Sequence, residues 1–212
     1  DTLSPEQLQH YLLHLITEKK LAYASVNQAA CAFRFLYGRV LKQPEAHLDI
    51  PMAKVPKHLP RILARDEVIR LIQTAKNLRA RTLLMTTYAA GLRVSEVCAL
   101  QVRDIESQPD RMCIKIRDGK GGKDRRTVLP RSLVEPLQLE VERVRVLHST
   151  DVAAGFGAVW MPHALARKYV NGPRELGWQY VFPALRRSLD PRDDTERRHH
   201  VDADFVSRAL KQ

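Results

Sequence analysis

The amino-acid sequence predicts a mainly α protein with one small antiparallel β-sheet. Three observations support this. Apolar residues recur at helical spacing, often behind a capping signal, through most of the chain. Strand-like alternation is confined to two short runs, Met112–Arg117 and Arg125–Leu129, on either side of a glycine-rich turn. Pro44, Pro51, Pro56 and Pro60 crowd one segment and prevent continuous helix there. The division expected is a small helical domain over 1–47, a Pro-rich linker over 48–62 and a larger domain over 63–212.

The elements follow in order. Ser4-Pro-Glu-Gln7 is a helix start, with Ser4 as N-cap, Pro5 in the first turn and Gln7 closing a capping box. Leu8, Tyr11, Leu12 and Leu15 then form an apolar face. Ser25-Val-Asn-Gln28 reads as a second start, leading into Ala29, Ala32, Phe33, Leu36, Tyr37 and Val40 at helical spacing. Core packing is the expectation for Tyr11, Tyr37 and the phenylalanines. Beyond the linker, Arg65–Ala75 and Ala80–Ala90 are helical, and Gly91 is placed as a C-terminal cap. Helix restarts over Val94–Leu100, the two strand-like runs make a β-hairpin, and Leu133–Leu147 is a further amphipathic helix that tolerates Pro136 near its first turn. Residues 150–185 differ in texture: glycines and prolines alternate with Phe156, Trp160, Tyr169, Trp178, Tyr180 and Phe182. A charge-dense stretch, Arg186–His200, precedes a short last helix near Asp202.

Composition narrows the function. The 212 residues carry 35 Lys/Arg against 24 Asp/Glu, a net charge of +11, which favours a polyanionic partner such as nucleic acid. Residues 1–47 hold five Lys/Arg against four Asp/Glu, so +10 falls on the remainder. Cys31, Cys98 and Cys113 are scattered, with no close pair and no histidine at metal spacing. That argues against a disulfide framework or structural zinc and suits a reducing cytosol. No apolar run approaches the roughly 18–20 residues of a membrane span, and no signal peptide is visible.

One pairing carries chemistry. Arg93 sits where one helix ends and another begins, and Lys120 follows 27 positions later on the hairpin turn. Two fixed cations brought together suit a phosphodiester, because they neutralise charge that builds on phosphoryl oxygens. A phosphate-binding P-loop is excluded: Gly-x-x-x-x-Gly-Lys-Ser/Thr is absent, and the turn joins strand to strand rather than strand to helix.

Gly91-Leu-Arg-Val-Ser-Glu96, Leu100-Gln-Val-Arg-Asp-Ile105 and Gly119-Lys-Gly-Gly-Lys-Asp-Arg125, in that order, resemble the tyrosine recombinase (phage integrase) family. Ala153–Trp160, Leu165–Tyr169, Trp178–Pro183, Asp190-Pro-Arg192 and Arg197-Arg-His-His200 resemble the insertion, at about 150–200, of its integron-integrase subfamily. The resemblance runs from about residue 4 to the end. It implies a tyrosine-recombinase catalytic fold preceded by a partial SAM-like helical DNA-binding domain, acting on DNA without metal or other cofactor. In that family Arg93 would hold a non-bridging oxygen of the scissile phosphate. Lys120 would be the general acid toward the leaving 5′ oxygen, and Glu96 would orient the helix start. Lys54, Lys57, Arg61, Lys123, Arg125 and Arg126 are the expected phosphate contacts. Trp160, Trp178, His199 and His200 are the candidates for gripping bases that protrude from folded single-stranded sites. An aromatic core for the insertion stays open for both tryptophans. Adjacent histidines among arginines favour a phosphate or base contact over a metal.

The family's His-x-x-Arg box and nucleophilic tyrosine do not occur after residue 120. His58-Leu-Pro-Arg61 precedes Arg93, and Tyr169 and Tyr180 match motifs of the insertion. The expectation is therefore a chain truncated at its carboxyl end and at its amino end, binding DNA without cutting it. It is expected to be monomeric, whereas the parent recombinase would be tetrameric on DNA in the bacterial cytoplasm, associated with the nucleoid. A rival reading is a non-catalytic DNA-binding protein that competes for recombination sites. A helix-turn-helix transcription factor is weaker, since it leaves Arg93 and Lys120 without a reason to be paired.

Overall fold

A computed structural model of the chain describes residues 3–42, 59, 62–119 and 121–211. The chain divides into two compact units, Asp1–Ile62 and Leu63–Gln212.

In the first unit, α1 (Pro5–Thr17) opens with the expected capping box: the Ser4 hydroxyl accepts from the Gln7 amide, and the Gln7 side chain accepts from the Ser4 amide at 2.8 Å. Helix α2 (Tyr23–Phe35) begins two residues before Ser25, with Ala22 as N-cap. Lys20 adopts φ 52° and reverses the chain, so helix resumes as soon as the backbone returns to allowed extended geometry at Ala22. The helix widens into a π-helical turn over Leu36–Val40. That extra residue per turn shifts the phase of everything after it. Leu8, Leu12, Leu15, Val26, Ala30 and Tyr37 form the core, with Ala29 and Phe33 packed against it. Ala32, Leu36 and Val40, expected on the buried face, are exposed instead. Tyr11, expected in the core, is half-exposed and meets Phe33 edge-on at 6.1 Å between ring centres. Tyr37 is buried as expected, and its hydroxyl donates to the Leu3 carbonyl at 3.1 Å.

The second unit is mainly helical around a three-stranded sheet, with a separate two-stranded sheet later in the chain. Its helices are α3 (Arg65–Gln73), α4 (Leu78–Ala89), α5 (Val94–Cys98), α6 (Arg131–Ala153), α7 (His163–Lys168) and α8 (Ala203–Leu210). The three-stranded sheet has the order β1–β2–β3, with β1 (Ile105–Gln108), β2 (Arg111–Gly119) and β3 (Lys123–Val128) all antiparallel. Strand β1 has too little alternation to be read from sequence: three of its four residues are polar, Glu106, Ser107 and Gln108. It exists because Ile105 pairs with the fully buried Ile114 of β2. Leu83, Val97, Ile114, Leu133, Leu137, Val181, Phe182 and Val206 form the central cluster, so helices, sheet and the segment before α8 share one core.

Helix α6 runs through Pro136 for 23 residues, longer at both ends than the periodicity suggests. Its last turn carries Asp151, which is the anchor of the 150–200 segment. That segment has its own small core of Val159, Met161 and Trp178 and a two-stranded hairpin, β4 (Ser188–Leu189) with β5 (Glu196–Arg197). It is stitched to the rest of the unit by backbone: Val102 N–H donates to the Gln179 carbonyl at 2.9 Å and Val181 N–H to that of Leu100 at 2.8 Å.

Candidate active site and nucleic-acid interface

The site is assembled where α4 gives way to α5. Gly91 takes φ 61°, a left-handed conformation that glycine adopts without a Cβ clash, and so ends α4 sharply. Leu92 is buried and fixes the turn, leaving Arg93 as N-cap of α5 with extended backbone (φ −70°, ψ 155°). The Arg93 amide donates to Glu96 Oε2 at 2.8 Å and its Nη1 to Glu96 Oε1 at 2.7 Å. About half of the Arg93 side chain remains exposed. Among the described residues it donates through Nη1 to Glu96, so the pairing leaves Nε and Nη2 unspent on that carboxylate.

Glu96 does more than orient the helix start. It also accepts from Arg125 of β3, Nη1 to Oε1 at 2.6 Å and Nη2 to Oε2 at 2.7 Å, while its own side chain is 6% exposed. The Arg125 fork, aided by the Arg93 amide and guanidinium, outweighs burial and holds the Glu96 carboxyl down at about 2. Arg125, expected as a phosphate contact, is thus committed to a carboxylate within the protein. Lys123 and Arg126 are exposed on the same strand.

Gly91, Leu92, Arg93, Lys123, Asp124 and Arg125 line one shallow concavity, so the start of α5 and the foot of the hairpin share a surface. Lys120 lies outside the described residues, as do Lys54, Lys57 and Arg61. The turn around it is defined: Gly121 and Gly122 take φ 79° and 70°, and the Asp118 amide donates to Asp124 Oδ1 at 2.9 Å.

The two tryptophans of the insertion part company. Trp178 is 6% exposed, with the Arg103 guanidinium 3.0 Å from its ring centre and Tyr169 at 5.6 Å. Its faces are occupied by the protein, so the base-stacking expectation for Trp178 gives way to a core role. Trp160 is partly exposed and lies under the Arg192 guanidinium at 4.2 Å; Arg192 is more than half exposed and also donates to the buried Asp190 at 3.4 Å. His200 is turned inward: Nδ1 lies 2.6 Å from the Val201 carbonyl, and the ring meets Tyr180 edge-on at 5.1 Å. His199 is part-buried 3.9 Å from Asp190, and its pKa is lowered chiefly by burial, with Asp190 opposing. Among the described residues no group of three or more His, Cys, Asp or Glu is placed to hold a metal ion.

Sequence reasoning missed two buried carboxylates that organise this surface. Asp151 Oδ1 accepts from Arg187 at 2.8 Å and Arg198 at 2.9 Å, and its Oδ2 from Arg198 at 2.6 Å. Asp190, fully buried, accepts from Arg197 at 3.2 Å and from the Arg192 amide at 3.1 Å. The only advance signal was the density of arginine in 186–198, which implies acceptors without naming them.

The phage integrase family model matches residues 61–153, and the phage integrase N-terminal SAM-like domain matches residues 1–46. Over these two stretches the chain is similar to the phage integrase family. An integrase/recombinase of Escherichia coli is 34% identical over all 212 residues, and the chain spans 62% of that relative's length. The tyrosine recombinase XerA of Pyrococcus horikoshii is 44% identical over 90 residues, 42% of this chain and 30% of that one. Among solved structures, the Tn1549 transposon integrase in complex with circular intermediate DNA superposes with a TM-score of 0.52 at 13% identity, covering 67% of this chain and 51% of that one. The family match over 61–153 contains Arg93, Glu96 and the hairpin. The match to the Escherichia coli relative runs over all 212 residues and so extends past residue 153. No helix among the described residues is long and apolar enough to cross a membrane.

Proposed function

We propose that this chain is the DNA-gripping part of a site-specific recombinase of the integron type, and that Arg93 and Lys120 are half of its phosphoryl-transfer site. The observation that carries the reading is the half-exposed Arg93 side chain, held by Glu96 through one Nη on the concavity it shares with the foot of the hairpin that bears Lys120. A planar guanidinium with two donors unspent matches two phosphate oxygens. In the complete recombinase a tyrosine oxygen would attack phosphorus and form a 3′-phosphotyrosyl bond. The 5′ oxygen would leave with a proton from Lys120, while Arg93 bears the charge on the non-bridging oxygens. The 212 residues hold no His-x-x-Arg after Lys120 and no tyrosine matching the nucleophile. By themselves they bind DNA as a monomer without cleaving it. Duplex phosphates would be met by Lys123 and Arg126 beside the unspent Arg93 fork. Trp160, Arg192 and His199 form the insertion's contribution at a folded single-stranded site, in bacterial cytoplasm close to the nucleoid.

The test is a nicked suicide substrate with the 212-residue chain, alongside fluorescence anisotropy on an intact duplex. Binding without a covalent adduct is expected, with Arg93→Ala weakening affinity about tenfold, the low end for a charged hydrogen bond. An adduct overturns the non-cleaving reading. Unchanged affinity in Arg93→Ala overturns the phosphate cradle.

A further inference from the structure

We infer that Arg125 is a positioning residue: its fork locks Glu96, and Glu96 in turn presets Arg93 beside the hairpin. This rests on Arg93 being the phosphate ligand, as proposed above. Glu96 has about four acceptor positions, and four donors fill them. Oε1 takes Arg93 Nη1 and Arg125 Nη1, and Oε2 takes the Arg93 amide and Arg125 Nη2. A carboxylate filled in this way cannot rotate. It therefore takes a single Nη from Arg93 and leaves the rest of that fork for an external anion.

Without Arg125, the freed carboxylate is the nearest counter-ion for Arg93. It would turn to engage both of its outer nitrogens and compete with phosphate for the same donors. The clamp also joins two elements that sequence keeps 29 positions apart, the start of α5 and strand β3. Gly119, the residue before Lys120, is buried next to it. A Cβ there would meet the Lys123 carbonyl oxygen at 2.9 Å, Arg125 Nη1 at 3.2 Å and Glu96 Oε1 at 3.5 Å. The last residue before the hairpin lysine is thus packed directly on the arginine–glutamate pair that sets Arg93. Arg125 acts through Glu96 and touches no reacting atom in this scheme.

A double-mutant cycle separates this from a plain phosphate contact. Affinity of the 212-residue chain for a fluorescein-labelled duplex is measured at fixed salt for Arg93→Ala in three backgrounds: wild type, Arg125→Gln and Arg125→Lys. A lysine at 125 keeps the charge but cannot grip both oxygens. The expected result is an Arg93→Ala loss of about tenfold in the wild type and under about threefold in either Arg125 background. If the loss is about tenfold in all three, Arg125 is an independent charge and the inference is wrong. If Arg93→Ala costs nothing even in the wild type, the phosphate reading of Arg93 fails instead, and Arg125 has nothing to position. Thermal melting of each variant confirms folding. Should Arg125→Gln melt below the assay temperature, the Arg125→Lys arm decides alone.

Discussion

Asp151→Asn should loosen the whole 150–200 segment while leaving the rest of the second unit folded. Asp151 is the last strong acceptor on α6, and its side chain is 4% exposed. It receives three charge-assisted hydrogen bonds from two arginines, Arg187 and Arg198, whose side chains are 27% and 13% exposed. Removing one partner of a buried ion pair costs about 3–5 kcal/mol, because the remaining charge is left without compensation. Arg187 keeps Glu196 at 2.9 Å, and Arg198 keeps the carbonyls of Ala184 and Leu185, so the low end, about 3 kcal/mol, is expected. For a unit of this size that lowers the melting temperature by about 6–12 °C.

The pH dependence adds a second handle. Hydrogen bonds from Arg198 and then Arg187 hold the Asp151 pKa below its ordinary value against the burial that opposes them. A depressed folded-state pKa means the stabilisation is fully present above the unfolded value, about 3.9, and is lost as pH falls through the lower folded value. The gap between wild type and Asp151→Asn in urea titrations should therefore be widest near pH 7 and close below about pH 4. Hydrogen exchange should speed up at the Ala184 and Asp190 amides, which bond to the His199 and Thr195 carbonyls. A variant within about 1 kcal/mol of wild type, or a gap unchanged from pH 7 to pH 2, would refute the anchoring argument.

Other perturbations follow from single contacts. Gly91→Ala forces a Cβ into φ 61° and is expected to cost about 1 kcal/mol in urea unfolding; a neutral result would mean the turn relaxes elsewhere. The Glu96 carboxyl should titrate at about 2 by carbon-13 NMR, its contribution to stability intact above the ordinary value and lost as pH falls through about 2. A midpoint in the ordinary range would show the clamp to be open in solution. Trp178→Ala should lower stability by about 3 kcal/mol through loss of core. Trp160→Ala should leave the melting curve near wild type and weaken binding to a hairpin DNA with protruding bases, and the reverse pattern would exchange their roles. Light scattering without DNA should give a monomer, and a tight tetramer would contradict that reading.

The sequence by itself determined what depends on neighbours along the chain. Ser4 and Gln7 cap α1 because both groups reach the same turn, whatever surrounds them. Gly91 ends α4, and Gly121 and Gly122 make the hairpin turn, because φ near 60–80° is strained for any residue with a Cβ. Local patterns also put Arg93 at a helix start and Lys120 on a hairpin turn. Periodicity failed where it was broken from within, at the π-helical turn of Leu36–Val40, and where a strand such as β1 carries almost no apolar pattern. Which charge meets which, and which ring is covered, was decided only by tertiary structure. Arg125 and Arg126 are adjacent in sequence and alike in chemistry, yet one is spent on Glu96 and the other faces solvent. Trp160 and Trp178 are both tryptophans among arginines, yet only Trp178 is sealed in the core. Ion pairs and stacked rings form between groups far apart in the chain, and their partners are fixed by the packing that excludes water around them. No spacing rule along a sequence records that.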